Sequence, residues 1–187
     1  MLAALALSLQ MPKIVIPAVE TRAELRLTVD HPSVAKDEDP GYHATIRNTG
    51  RRTLRLIEPQ DGSESAMRNP SLTWRLPDLK HPEPIMRCGN TNEIEESAFF
   101  TLAPGESRAI GIGWAAETQL SSGSNRVSLI YDIAANRKDL GFSGVMYVGG
   151  TPPEIQAAQA RVAALYSALT PIHLTSNVVR VTLKAAP

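Results

Sequence analysis

Three consecutive acids, Asp37-Glu38-Asp39, stand before Pro40-Gly41, where they could offer oxygen ligands to Ca²⁺ in an interstrand loop. The run does not develop into the acid-x-acid spacing and glycine that a calcium loop needs, so it reads as a solvated turn. Transition metals have less support. His31, His43, His81 and His173 are scattered, and Cys88 has no second cysteine at zinc-ligand spacing. A blue-copper site would place a histidine soon after the cysteine and a methionine beyond it, whereas Cys88 leads into Gly89-Asn90-Thr91-Asn92. Cys88 therefore reads as a small packed side chain or a loop thiol. Gly62-Ser63-Glu64-Ser65-Ala66 lacks the last glycine of a nucleophile elbow and lies in a polar stretch instead of between a strand and a helix. Gly111-Ile112-Gly113-Trp114-Ala115-Ala116 fits a loose dinucleotide pattern, but Ser121-Ser122-Gly123-Ser124 follows where the phosphate-binding helix would have to run.

What remains is cationic. Arg47, Arg51 and Arg52 crowd one predicted turn, and Arg137 and Lys138 open a late excursion. Arg51, Arg52, Arg137 and Lys138 form the candidate partner surface; the plainer reading is surface charge that keeps a sheet edge from pairing. No residue is assigned a catalytic, cofactor-binding or metal-binding role, and no cofactor is implied. Lys plus Arg and Asp plus Glu number 19 each, which leaves no net positive field to hold a polyanion. Nucleic acid is therefore not an expected partner.

The elements that must carry these residues are mostly strands. Within 187 residues, 43% hydrophobic and 20% charged, one domain over 21–187 is expected. Period-two alternation places Leu25, Leu27 and Val29, then Tyr42, Ala44 and Ile46, then Leu54 and Leu56, on one face of successive strands. Asn48-Thr49-Gly50 between the last two suggests a hairpin. Leu72, Trp74 and Leu76 alternate next, and Pro77, Pro82 and Pro84 make 77–94 a crossing loop. Strands are expected at 97–102 and 107–114 around the turn Ala103-Pro104-Gly105-Glu106. Val127, Leu129, Tyr131 and Ile133 give the next strand, and Val179, Val181 and Leu183 the last. Between them, in an excursion over 134–177, Thr151-Pro152-Pro153-Glu154 reads as a helix start with a capping box. Ile155, Ala158, Val162, Leu165, Tyr166 and Leu169 then form an apolar stripe that Pro171 ends.

The phrases YHATIRNTGRRTLRL, TLAPGES and NRVSLIYDI resemble the framework of bacterial immunoglobulin-like modules, a group that includes adhesion-type repeats and intracellular proteinase inhibitors. The resemblance implies an all-β, immunoglobulin-like antiparallel β-sandwich; the amphipathic helix inserted before the last strand, within the excursion over 134–177, departs from that compact pattern. It also implies a non-enzymatic interaction or accessory role toward a protein or cell-envelope partner. A proteinase inhibitor presenting loops at one end is the alternative, and an enzyme of unrecognised type comes third. Asn69-Pro70-Ser71-Leu72-Thr73-Trp74 and Gly149-Gly150 faintly resemble two loops of chagasin-like cysteine-protease inhibitors, whose third loop, Arg-Pro followed by an aromatic, is absent. With the strands lettered in immunoglobulin order, the turn at 48–52, the Pro104-Gly105 turn and the late excursion fall at one end. Loops at such an end carry function.

Met1 to Met11 is nearly all apolar, too short to span a bilayer, and suits the hydrophobic region of an export signal within residues 1–20. Ala6 and Ser8 form a small-x-small pair for cleavage, although a charged residue before the run is missing. No integral membrane segment is expected, and the single cysteine excludes an internal disulfide. The mature chain is expected outside the cytoplasm, beginning after residue 8. Mass spectrometry of secreted or periplasmic protein checks this; an intact Met1 on cytoplasmic material would overturn it.

Overall fold

The alternation of side chains becomes an alternation of burial once the chain is folded. The computed structural model describes residues 22–35, 38–59, 72–78, 96–112, 120–133 and 151–184. The expected signal segment, Asp37, Gly62 to Ala66, His81, Cys88, Arg137 and Lys138 lie outside the described residues. In β1 (Ala23–Val29) Leu25 and Leu27 are buried while Glu24, Arg26 and Thr28 are exposed. The same pattern holds in β3 (Tyr42–Asn48), β4 (Leu54–Ile57) and β5 (Leu72–Arg75), whose inward side chains join one hydrophobic core. β6 (Phe99–Leu102), β7 (Ser107–Ile110) and β8 (Gly123–Asp132) add Phe100, Leu102, Ile110, Val127, Leu129 and Tyr131 to it. Among the described residues the fold is thus mostly strand, with a single α-helix.

The strands pair in three groups. β3 lies between β1 and β7, β4 pairs with β6, and β8 carries β5 on one edge, all antiparallel. The expected hairpin between β3 and β4 does not form. The chain leaves β3 at Asn48 and enters a different sheet, so the turn residues at 48–50 make a corner between sheets. The 103–106 turn behaves in the same way. Glu106 N–H donates to the Ala103 carbonyl at 3.0 Å and Gly105 takes φ +81°, as expected for Pro-Gly at the turn centre, yet β6 and β7 on either side belong to different sheets. The strand expected from 97 starts only at Phe99, because Glu96–Ala98 is a 3₁₀ turn. The strand expected to 114 stops at Ile110, where the Gly111 N–H turns to the Glu58 carboxylate at 2.6 Å.

The last strand is longer than its sequence pattern. β9 (His173–Thr175) and β10 (Val179–Leu183) both pair antiparallel with β8, while β5 occupies the opposite edge of β8 at 128–131. Ser176 continues the ladder, its N–H donating to the Leu129 carbonyl and its hydroxyl accepting from Leu129 N–H, each at 2.9 Å. Thr175 opposes Ile130 and Val179 opposes Val127, so three residues face two and the strand carries a bulge at 176–178. β2 (Ser33–Val34) pairs with β10 in parallel, so the chain that begins in the β1 sheet finishes its first excursion in the β8 sheet.

Helix α1 (Pro152–Ser167) starts as its residues predict. Thr151 N–H and hydroxyl both donate to the Glu154 carboxylate, at 2.8 and 2.7 Å, and these bonds hold its pKa below the usual carboxylate value. Val162, Tyr166 and Leu169 are buried, with Ile155 and Ala158 half-buried, so the helix is docked. Leu165 is 36% exposed, which corrects its place in the apolar stripe. The docked face is narrower than the sequence stripe and turns away from Leu165.

Interrupted sheets leave strand edges, and side chains close several of them. Tyr131 is fully buried on β8, and its hydroxyl donates to the Ile57 carbonyl at 2.7 Å while accepting from the Ile57 N–H at 3.2 Å. Two residues back, Thr170 treats Arg55 alike: Thr170 N–H donates to the Arg55 carbonyl at 2.8 Å and its hydroxyl accepts from Arg55 N–H at 2.9 Å. At Arg55 and Ile57 the outer edge of β4 is therefore satisfied by side chains, with no neighbouring strand there among the described residues. Asn177, projected by the bulge, uses its amide as a peptide mimic, accepting from Leu27 N–H and donating to the Leu27 carbonyl at 2.9 Å each. Past the end of β5, Asp78 accepts from Arg126 N–H at 2.8 Å and binds the Arg126 guanidinium through two further bonds.

Tyr131→Phe keeps the ring and removes the hydroxyl. A loss of about 1–3 kcal/mol is expected, because both backbone groups of Ile57 lose a buried partner. Burial pushes the Tyr131 phenol well above its ordinary 10.0, with the Glu58 carboxylate adding to the rise and the Ile57 backbone bond opposing it. Above pH 10 the unfolded chain gives up this proton and the native chain keeps it, so the native state binds more protons and stability falls as pH rises. Urea melts at rising alkaline pH should show a steeper loss in the wild type than in Tyr131→Phe. Equal slopes would show that Tyr131 is not held protonated.

Candidate binding cleft

Asn48 ends β3 fully buried, which forces its amide to find partners inside the protein. Its Nδ2 donates to the carbonyls of Arg52 and Leu102, both at 2.8 Å, and its Oδ1 accepts from the Gly50 N–H at 2.9 Å. The backbone of Asn48 is bonded on both sides as well, its N–H to the Glu106 carbonyl and its carbonyl to the Gly105 N–H, at 2.9 Å each. Thr49 N–H reaches the Arg22 carbonyl at 3.1 Å. A Cβ at Gly50 would stand 3.3 Å from that same carbonyl and 3.3 Å from Asn48 Oδ1, a tight approach that a larger residue could make only by pushing both back a few tenths of an ångström. Loop 49–53 is therefore pinned from beneath, and its outward side chains are presented by a rigid base.

The opposite wall comes from the end of α1. The helix finishes at an αR-shaped Ala168, whose N–H reaches back to the carbonyls of Ala164 and Leu165, and the next N–H, of Leu169, donates to the Tyr166 carbonyl. Leu169 is then buried and Thr170 locks onto Arg55. Between the two walls lies a cleft of about 710 Å³, lined by Arg22, residues 49–54 and residues 168–171. Its lining includes three arginines and no carboxylate, with Leu54, Ala168, Leu169 and Pro171 supplying apolar surface and Thr49, Thr53 and Thr170 hydroxyl-bearing side chains. Such a volume lies within the range of ligand-binding clefts, and such a charge attracts anionic groups, which guanidinium can grip with two parallel hydrogen bonds.

The structure brings together part of the candidate partner surface. Arg51 and Arg52 are exposed and line the cleft, and the 48–52 turn, the 103–106 turn and the end of the late excursion meet at one end of the molecule. Arg47 is exposed on β3 opposite Glu24 and Ser107, and is not among the lining residues. Arg137 and Lys138 lie outside the described residues. Sequence reasoning missed Arg22, Leu169 and Thr170. Nothing in the sequence sets the β1–β3 register that brings Arg22 beside the 48–50 corner, and nothing couples Thr170 to Arg55.

Other chemistry-bearing residues take structural positions. Glu38 accepts from Ala35 N–H at 2.9 Å and Asp39 from Gly41 N–H at 2.8 Å, as in a solvated turn. His43 pairs with Asp30 at 2.7 Å and His173 with Asp132 at 2.9 Å, on separate strands. No group of three or more His, Cys, Asp or Glu that could hold a metal ion occurs among the described residues. Among them, too, no helix is long and apolar enough to cross a membrane. Leu72, Thr73 and Trp74, part of the loop that resembled a chagasin-like inhibitor, run instead as strand β5 paired with β8. Trp74 is buried edge-on against Tyr42 with ring centroids 5.0 Å apart, and Asn69, Pro70, Ser71, Gly149 and Gly150 lie outside the described residues. Comparison with known proteins finds no matching family model, no matching curated protein and no matching solved structure.

Leu169, 3% exposed at the cleft wall, is the anchor that the sequence stripe had shared with Leu165. Leu169→Ala should cost about 2–5 kcal/mol, the range for truncating a buried leucine. Leu165→Ala should cost well under that, within about 1 kcal/mol, as for a partly exposed side chain. Denaturant melts of the two variants decide this, and equal losses would contradict the docking geometry.

Proposed function

We propose that this chain is an immunoglobulin-like sandwich acting as a non-enzymatic interaction module outside the cytoplasm, with its partner docking at the arginine-lined cleft. The observation that carries the reading is the cleft itself, assembled from a turn near residue 50 and a helix end near residue 170 on a braced base. The immunoglobulin-like reading is supported by antiparallel sheets sharing one core, by strands that switch sheets at corners, and by a buried tryptophan on β5 beside β8. A binding role is supported by the chemistry of the lining, which offers cations, hydroxyls and apolar surface but no acid, thiol or imidazole to move a proton or attack a bond. Export is supported by the apolar run from Met1 to Met11.

A photo-crosslinking residue at Thr53, on the cleft, should yield adducts with an envelope partner. The same residue at exposed Thr73 on β5, outside the cleft lining, should not. Arg51→Ala with Arg52→Ala should weaken capture at least about tenfold, since desolvated charge pairs in an interface center on such residues. Adducts of equal yield from both positions, or unchanged by the arginine substitutions, would overturn the cleft as the docking site.

A further inference from the structure

Among the described residues, an arginine-lined cleft and an exposed acidic loop stand at opposite ends of one strand pair. The cleft gathers Arg22, Arg51 and Arg52 beyond the Ala23/Asn48 end of the β1–β3 ladder. Beyond the other end of the same ladder, Asp30 N–H bonds to the Gly41 carbonyl and His31 N–H to the Pro40 carbonyl, and this closes a loop that carries exposed Glu38 and Asp39. The ladder is seven residue pairs long. At about 3.4 Å per residue its two ends stand roughly 20 Å apart, so the acidic loop cannot reach the cleft of its own molecule.

From this placement we infer that the cleft receives the acidic loop of a second copy of the chain, head to tail. The inference rests on the reading of the cleft as a docking site and names its occupant. Glu38 and Asp39 each spend one carboxylate oxygen on a backbone N–H of their own loop, which holds the loop in shape. A carboxylate has acceptor sites on both oxygens, so each can still receive a guanidinium. Formal net charge is zero, so two copies approach without long-range repulsion while the arginine cleft of one attracts the acidic loop of the other. The donor and acceptor surfaces are different patches on opposite ends, which makes the contact heterologous and open-ended instead of a closed dimer.

Sedimentation of the full chain tests this. At low salt the weight-average mass of the wild type should rise with concentration past the dimer, and 0.5 M NaCl should weaken the association by about tenfold or more, since the contact is ionic and exposed. Arg51→Ala with Arg52→Ala should be monomeric. So should Glu38→Gln with Asp39→Asn, in which the amide oxygens can still accept the loop N–H groups. Mixed together, these two monomeric variants should form a dimer and nothing larger, because one supplies only a working loop and the other only a working cleft. A wild type that stays monomeric at high concentration overturns the self-partner; if Thr53 crosslinks to a different protein persist, the cleft still stands as a docking site. Self-association that ignores the arginine substitutions overturns the self-partner as well, because the copies then meet elsewhere. A mixture that remains monomeric, or grows beyond the dimer, overturns the head-to-tail geometry.

Discussion

A strand that leaves its sheet early strands its own backbone, and the buried Tyr131 hydroxyl answers that problem for β4. One phenol, acting as donor and acceptor at once, satisfies both polar groups of Ile57 and ties β8 to a sheet that, among the described residues, has two strands and no third on that side. Backbone groups buried without a partner cost enough to unfold a marginal domain, so a fold made of short, interrupted sheets depends on such substitutes. Thr170 at Arg55 and Asn177 at Leu27 repeat the solution with a hydroxyl and an amide. Each replaces a piece of strand with one side chain, and each links segments that are far apart in sequence.

Which parts of this were legible follows from how local the cause is. Inward and outward positions in β1, β3, β5 and β8 could be read because period-two burial is a local property of an extended chain. The Pro104-Gly105 turn and the Thr151–Glu154 capping box were readable for the same reason: a few adjacent residues contain the whole interaction. Pairing was not. Asn48-Thr49-Gly50 has the chemistry of a hairpin turn, but the decision to cross sheets lies in the bond from Asn48 to Leu102, 54 residues away. β2 and β9, of two and three residues, are too short to show a period.

The cleft was half legible for related reasons. Arg51 and Arg52 announce themselves as adjacent charges in a turn, and the corner holds them rigidly because Asn48 is satisfied from three directions. The facing wall could not be anticipated, since Leu165 and Leu169 are equivalent in an apolar stripe and differ only once the helix has rotated onto the core. That rotation buries Val162, Tyr166 and Leu169 and fixes where the helix ends, which in turn fixes the width of the cleft.

The bulge at 176–178 has a consequence for the order in which the chain acquires structure. Asn177 closes the edge of β1 at Leu27 across a separation of 150 residues, so on a ribosome the first strand emerges long before the side chain that seals it. Until then β1 presents an open row of donors and acceptors, the kind of edge on which nascent chains pair wrongly. β1 carries charges of alternating sign on its outer face, Glu24 and Arg26, the kind of side chain that discourages such pairing. Late closure by a distant residue also makes for high contact order, and so for slow folding, in which the final strand acts as the latch of the whole molecule.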